Sequence, residues 1–247
     1  IGGNSDYPAD FIYQNLMIQS NVIHSAYIFG VKKLVFLGSS CIYPKFSQQP
    51  IEEESLLSSK LESTNEPYAI AKIAGIKMCE SFNRQYGTDF RAVMPTNLYG
   101  PNDNFDLKNG HVLPALMKKF HLGKINKSSV EIWGTGNAMR EFLYVDDLAE
   151  ACEFIMSLQR EDYYGILQKE SCHINVGTQT DVTITQLAEN IKNITNFKGD
   201  VYFNSKYKDG TPRKLLDCTK IHQLGWKHKT NLQEGLELTY QWYIDNV

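Results

Sequence analysis

The amino-acid sequence predicts an α/β protein, a doubly wound parallel sheet packed with a smaller α+β lobe, and three observations lead there. KLVFLGSS, from Lys33 to Ser40, is a short apolar run closing on small residues, as central strands of parallel sheets are. It falls in the order helix, strand, long loop, helix, strand, which is the order of βα units wound onto one sheet. In the later half the alternation is less regular, which predicts a second, smaller lobe.

Asp6–Phe29 reads as a long helix, with Pro8 in its first turn, Gly30 as its stop, and a broad apolar face from Phe11, Leu16, Ile18, Val22, Ile23 and Tyr27. After the strand, Cys41–Glu66 is a polar loop rich in Ser and Glu, too long for a simple turn and therefore a candidate functional segment. The next helix runs from Pro67 to about Tyr86. Thr64 or Asn65 can cap it, Glu66 suits its positive end, Pro67 fits its first turn and Gly87 stops it. Asp89–Gly100 is another strand running into a loop, and Pro101–His111 is turn-forming throughout. A helix starts at His111 and runs to about Phe120, and Ser129–Gly134 and Glu141–Val145 read as strands. Asp146 and Asp147 then open a helix with Leu148, Ala151, Cys152, Ile155 and Met156 along its inner stripe. His173–Thr178 is a strand, Ile184–Phe197 an amphipathic helix, Asp200–Asn204 a strand, and Asp209–Asp217 a turn carrying two cations. Helices near Thr219–Gly225 and Asn231–Asn246 close the chain.

Of the 247 residues, 42% are hydrophobic and 21% charged, which is ordinary for a globular protein; a net charge of −3 does not by itself call for a polyanion partner and leaves room for local basic patches, and no nucleic-acid partner is expected. No apolar run approaches the ~20 residues of a membrane span, and nothing resembles a signal peptide. Cys41, Cys79, Cys152, Cys172 and Cys218 are scattered without a C-x-x-C pair. That argues for a reducing, cytoplasmic compartment and against a disulfide frame or a metal site.

Tyr68 and Lys72 lie one helical turn apart on one face. A free phenol titrates near ~10, and an ammonium beside it favours the phenolate, so the pair is expected to move a proton near neutrality. Taken alone, that spacing is common in ordinary helices. Ser39, at the end of the preceding strand, gives it meaning. Its hydroxyl can hold a carbonyl oxygen that Tyr68 protonates while a hydride reaches the carbon, with donors placed where negative charge develops.

GSS, Y-x-x-x-K and PTNLYGP, in this order, resemble the extended short-chain dehydrogenase/reductase family, and MREFLYVDD with HINVG resembles its nucleotide-sugar branch. Within that branch, SSCIYPK (Ser39–Lys45), TNEPYAIAKIAG (Thr64–Gly75), PTNLYGPNDNF (Pro95–Phe105), HVLPAL (His111–Leu116), WGTGNAMREFLYVDD (Trp133–Asp147), DGTPRKLLD and HQLGW are similar to one group of enzymes over nearly the whole chain. Those enzymes convert GDP-4-keto-6-deoxy-D-mannose to GDP-L-fucose, epimerising carbons 3 and 5 and then reducing carbon 4 with NADPH. The resemblance implies a Rossmann-like fold, NADP(H) as cofactor, this GDP-sugar as substrate, and a homodimer formed through the helices Asp6–Phe29 and Pro67–Tyr86. It also implies roles. Ser39, Tyr68 and Lys72 match the reductase set, and Cys41 and His111 the acid–base pair, since a thiol and an imidazole can exchange protons beside a keto group. Leu37, Gly38, Ser39, Ser40, Lys72, Pro95, Thr96, Asn97, Leu98 and His111 match cofactor-contacting segments. Lys119, Arg140, Arg213 and Lys214 are candidates for the diphosphate, and Trp133 for the sugar or base. At Lys119 the family commonly has Arg, whose two-pronged fork Lys lacks.

Related dehydratases usually carry an acidic pair after the strand serine, where this sequence has Ser40-Cys41. Another nucleotide-sugar epimerase or dehydratase is the nearest alternative, and a catalytically idle dinucleotide-binding protein is the alternative of a different class. The family opens with a strand and a G-x-x-G-x-x-G turn. This sequence has neither, and its opening IGG matches a later point of the pattern, so the first strands are expected to lie upstream. The resemblance divides the chain into an NADP-binding unit, residues 1–98 and about 139–178, and a nucleotide-sugar unit, residues 99–138 and 179–247.

Overall fold

The computed structural model describes residues 7–108, 110–207 and 209–247; the IGG opening and Asp6, the expected start of the first helix, lie outside them. The chain begins with α1 (Pro8–Ile28), β1 (Lys33–Leu37), short 3₁₀ turns at Ser40–Ile42 and Glu53–Ser55, α2 (Glu66–Tyr86), β2 (Asp89–Pro95) and β3 (Asn97–Tyr99). It continues through α3 (Val112–Asn126), β4 (Val130–Trp133), β5 (Met139–Tyr144), α4 (Val145–Ser157), α5 (Arg160–Gly165) and β6 (His173–Val176). It ends with β7 (Asp181–Thr183), α6 (Ile184–Thr195), β8 (Val201–Asn204), β9 (Arg213–Lys214), α7 (Thr219–Leu224) and α8 (Leu232–Asn246).

The local chemistry accounts for the boundaries. Gly87 stops α2 in the left-handed conformation (φ 69°) that glycine adopts without strain. Thr183 and Gln186 form a reciprocal capping box at the start of α6. Three sheets result among the described residues. Strands β1, β2 and β6 are parallel, with Leu37 opposite Val93 and Ala92 opposite His173. Strand β3 runs parallel to β5 while β7 runs antiparallel to it, and β4 pairs with β8. In Asp89–Gly100, where a strand running into a loop was expected, the strand breaks at Thr96 and resumes, because β2 pairs with β6 whereas β3 turns to pair with β5. The expected turn Asp209–Asp217 contains β9, which lies parallel to β5 and sets Lys214 opposite Arg140. Strand β7 and helix α5 are further elements the sequence pattern did not reveal, being only three and six residues long.

Two cores hold these layers. The first gathers Phe36, Ile76, Phe90, Val93 and Ile174, with Leu216, Ile221 and Trp226 from late in the chain. The second gathers Phe105, Phe120, Ile132, Leu187 and Tyr243. Strand β5 serves both, sending Leu143 into the first and Phe142 and Tyr144 into the second, as alternation along a strand allows. Helix α1 corrects the expected inner face. Ile23 and Ala26 are buried with Gln19, which donates to the Ala71 carbonyl (2.5 Å), but Ile18 and Val22 point outward with Tyr13 and Met17. The helix is apolar around most of its circumference, so contact with α2, not periodicity, selects the buried side. Likewise on α4, Met156 is exposed and Cys152 half-buried. Among the described residues, no helix is long and apolar enough to cross a membrane, and no group of His, Cys, Asp and Glu could hold a metal ion.

Candidate active site

Ser39, Cys41 and Tyr68 meet at the carboxyl edge of β1. Ser39 is extended (φ −161°) and begins the 3₁₀ turn, its hydroxyl accepting from the Cys41 N–H (3.2 Å). The same hydroxyl sits beside the Tyr68 phenol and the Cys41 thiol and favours the charged form of each. Burial pushes the phenol up, the Cys41 charge adds to this, and the Ser39 hydroxyl only partly offsets them. This corrects the expectation that Lys72 lowers Tyr68. Lys72 Nζ instead donates to the Leu37 carbonyl (2.9 Å), 5.7 Å from the Tyr68 ring centre and 5.1 Å from that of Phe36. Tyr68 is therefore a neutral phenol here, the form that can donate a proton. Lys72 is itself lowered by burial.

Cys41 opens onto a cleft lined also by Tyr43, Lys45, Glu62, Arg213 and Lys214. Lys214 Nζ lies 3.3 Å from its sulfur. Burial would raise the thiol, but the Lys214 charge, the Ser39 hydroxyl and the bond from Lys214 together outweigh it, against a smaller upward push from Glu62. The thiol thus stands below its ordinary value.

His111 stands at the start of α3, exposed, with Asp103 as an electrostatic neighbour. Burial raises the Asp103 carboxyl, while the Asn104 N–H and His111 oppose the rise. No hydrogen bond joins His111 to Ser39, Cys41 or Tyr68 among the described residues.

The expected diphosphate cations divide. Arg140 donates to the Met139 carbonyl (2.7 Å) and senses the charges of Asp209 and Cys41, so it borders the same site. Arg213 lines the cleft but is engaged by Asp181 through two hydrogen bonds (2.6 and 3.2 Å). Lys119 donates to the Glu131 carbonyl (3.0 Å) and lies 4.4 Å over Trp133, which donates from Nε1 to the Glu131 carboxylate (3.0 Å) and stacks on Tyr207 at 4.5 Å and 18°. Trp133 and Tyr207 remain 44% and 45% exposed, an aromatic platform at the β4–β8 edge.

The residues present fit the ribose and nicotinamide end of a dinucleotide. At the carboxyl edge of β1 they offer a desolvated ammonium on Lys72, the hydroxyls of Ser39 and Tyr68, and a Leu37 that is 47% exposed beside them. At Gly38 a Cβ would lie 2.2 Å from Met94 Cε, so a larger residue there needs the end of the Met94 side chain to move. Of the remaining expected cofactor residues, Ser40 and Thr96 are buried, Pro95 ends the buried β2, and Leu98 packs against the first core. The Thr96 hydroxyl and the Asn97 amide both donate to the Glu141 carbonyl (3.3 and 2.7 Å).

Two supporting residues lie in the MREFLYVDD and HINVG motifs, but the sequence assigned neither a role. The buried Glu141 carboxylate accepts from the N–H groups of Thr178 (2.6 Å), Gln179 (2.8 Å) and Leu216 (3.0 Å), tying β5 to the segment that bears Lys214. Asn175 accepts from the Tyr43 hydroxyl (2.6 Å) and donates to the Ile51 and Asp217 carbonyls (2.9 and 3.1 Å), tying β6 to the loop that bears Cys41. Each is a polar residue inside an apolar strand pattern, and only the fold shows which loops it reaches.

With this edge and its serine, tyrosine and lysine in place, the chain belongs to the NAD dependent epimerase/dehydratase family, whose model matches residues 1–177. It is 57% identical over 250 residues to GDP-L-fucose synthase of Escherichia coli (strain K12), an alignment spanning 100% of this chain and 78% of that protein. It is 56% identical over 248 residues to GDP-L-fucose synthase 1 of Arabidopsis thaliana, spanning 100% of this chain and 74% of that one. The crystal structure of a GDP-L-fucose synthetase from Naegleria fowleri bound to NADP superposes with a TM-score of 0.87 at 30% identity, covering 96% of this chain and 74% of the other.

Proposed function

We propose that this protein converts GDP-4-keto-6-deoxy-D-mannose to GDP-L-fucose with NADPH, and that one carbonyl organises the reaction. The keto group at carbon 4 acidifies the hydrogens on carbons 3 and 5 alike. Once it is reduced that acidity is lost, so both epimerisations precede the reduction. The observation that carries this reading is the Ser39 hydroxyl, which accepts from the Cys41 N–H and sits beside both the phenol that reduction needs and the thiol that epimerisation needs.

Ser39 and Tyr68 hold the carbon 4 oxygen, stabilising the enolate formed when a neighbouring carbon loses its proton. Cys41 and His111 act as the acid–base pair, one removing a proton from a face of the sugar and the other returning one to the opposite face. NADPH, when bound along Leu37–Ser40, Pro95–Leu98 and Lys72, supplies the hydride for carbon 4. Tyr68 then gives its proton to the oxygen. Lys72 orients the ribose, Arg140 and Lys214 meet the diphosphate, and the Trp133–Tyr207 platform meets the base or sugar. The division into cofactor and nucleotide-sugar units follows the same roles. The apolar outer face of α1, with Tyr13, Met17, Ile18 and Val22 exposed, supports a homodimer through α1 and α2. The compartment we assign is the cytoplasm.

The test is incubation of the full-length protein with GDP-4-keto-6-deoxy-D-mannose and NADPH. NADPH absorbance is expected to fall as GDP-L-fucose accumulates; no fall would reject the reading. Replacing Cys41 with Ser is expected to stop solvent deuterium from entering carbons 3 and 5. Undiminished incorporation would remove Cys41 from the chemistry.

A further inference from the structure

Lys214 is fixed more firmly than a surface lysine. Arg213 before it is clamped by Asp181 (2.6 Å), the Leu215 N–H after it donates to Gln49 (2.8 Å), and the Leu216 N–H donates to Glu141 (3.0 Å). β9 therefore holds the ammonium in register with β5, and Nζ reaches 3.3 Å from the Cys41 sulfur across 173 residues of sequence. The other groups facing the thiol are Ser39 from the end of β1, Glu62 from the long loop, Tyr68 from α2 and Arg140 from β5. Of these only Glu62 opposes a negative sulfur, and Lys214 is the cation at hydrogen-bonding distance.

We propose that Lys214 is the counter-ion that keeps Cys41 as a thiolate before substrate arrives, a positioning role separate from anchoring the diphosphate. The inference rests on the reading of Cys41 as an acid–base residue at the sugar carbons. On ionisation the thiol proton passes through the cleft to water and Lys214 keeps its own charge. Cys41 then begins the cycle able to accept a proton from carbon, which a neutral thiol cannot do.

The experiment is the pH profile of Cys41 alkylation by iodoacetamide in the free protein, followed on the Cys41 peptide by mass spectrometry for wild type, Lys214→Gln and Lys214→Arg. Lys214→Gln is expected to shift the profile upward by about one pH unit and to slow alkylation at pH 7 about tenfold. Lys214→Arg, which restores the charge, is expected to keep most of the wild-type rate and shows that any loss in Gln is not unfolding. A wild-type profile in Lys214→Gln, or an Arg variant as slow as Gln, would overturn the proposal. No substrate or NADPH is present, so the result stands apart from whether GDP-L-fucose is made. In turnover, Lys214→Gln is expected to lower kcat for deuterium exchange; a raised KM at unchanged kcat would leave Lys214 a diphosphate anchor and defeat the counter-ion role.

Discussion

Arg91 and Lys214 are both cations held against a sheet, and they are satisfied very differently. Arg91 on β2 is fully buried. It makes two 2.8 Å hydrogen bonds to Asp89, donates to the Leu158 carbonyl (3.0 Å) and to the Ile155 carbonyl, and lies 4.7 Å over the Tyr163 ring. Nearly every donor has a partner, which is the condition for a buried charge to be tolerated. Lys214 faces a cleft and gives one hydrogen bond to a sulfur, and Lys72 gives one to a carbonyl. An ammonium has three donors, so both keep capacity for a ligand. Structural charges here are saturated from within, whereas charges poised for chemistry are left with bonds to make.

The contrast can be sharpened by substitution. Tyr68→Phe removes the proton donor but no buried charge. Reduction of the 4-keto group is expected to fall by about 10³- to 10⁴-fold in an NADPH assay, with GDP binding retained by calorimetry. Arg91→Leu is the opposite case and leaves Asp89 buried without its partner. Urea unfolding is expected to show a loss of about 3–5 kcal/mol, and a loss well under 1 kcal/mol would mean that the pair is not the saturated anchor its geometry suggests.

His173 supplies the next effect. It is buried between the Glu53 carbonyl (3.2 Å from Nε2) and the Ser171 hydroxyl (3.1 Å from Nδ1), and burial pushes it down to about 4. The folded protein resists protonating this ring while the unfolded chain accepts the proton. The contribution is therefore complete above pH ~6.5 and is lost as pH falls from there towards 4, by up to about 3 kcal/mol. His173→Gln is expected to flatten that stretch of the urea midpoint against pH; an unchanged slope would assign it to other groups. Smallest is Trp133→Ala, which removes the surface stacked on Tyr207 and lying under Lys119. KM for the GDP-sugar is expected to rise about five- to tenfold at similar kcat, and an unchanged KM would leave the platform without a ligand.

Much of this was legible in the residues. The run from Lys33 to Ser40, with the Ser39–Tyr68–Lys72 order, placed a strand end beside a helix face, and the fold brings Ser39 to both Tyr68 and Cys41. What local pattern could not give was pairing across long separations. Lys214 carries the same charge whether it meets a phosphate or a thiol, and only the parallel register of β9 on β5 sets it beside Cys41. The Lys72–Tyr68 spacing was read correctly as geometry but not as energetics, because burial and the Leu37 carbonyl decide the outcome. The inner side of α1 was unreadable for a simpler reason: Ile18 and Val22 are as apolar as Ile23, and only docking on α2 tells them apart.

The alternate side chains of β5 root it in both cores at once. Parting the two cores would strip Leu143 from one or Phe142 and Tyr144 from the other. The strand is therefore a fixed reference for the site: the cleft beside Cys41 is lined by loop residues such as Lys45, Gln49 and Glu62, which can change without disturbing either core.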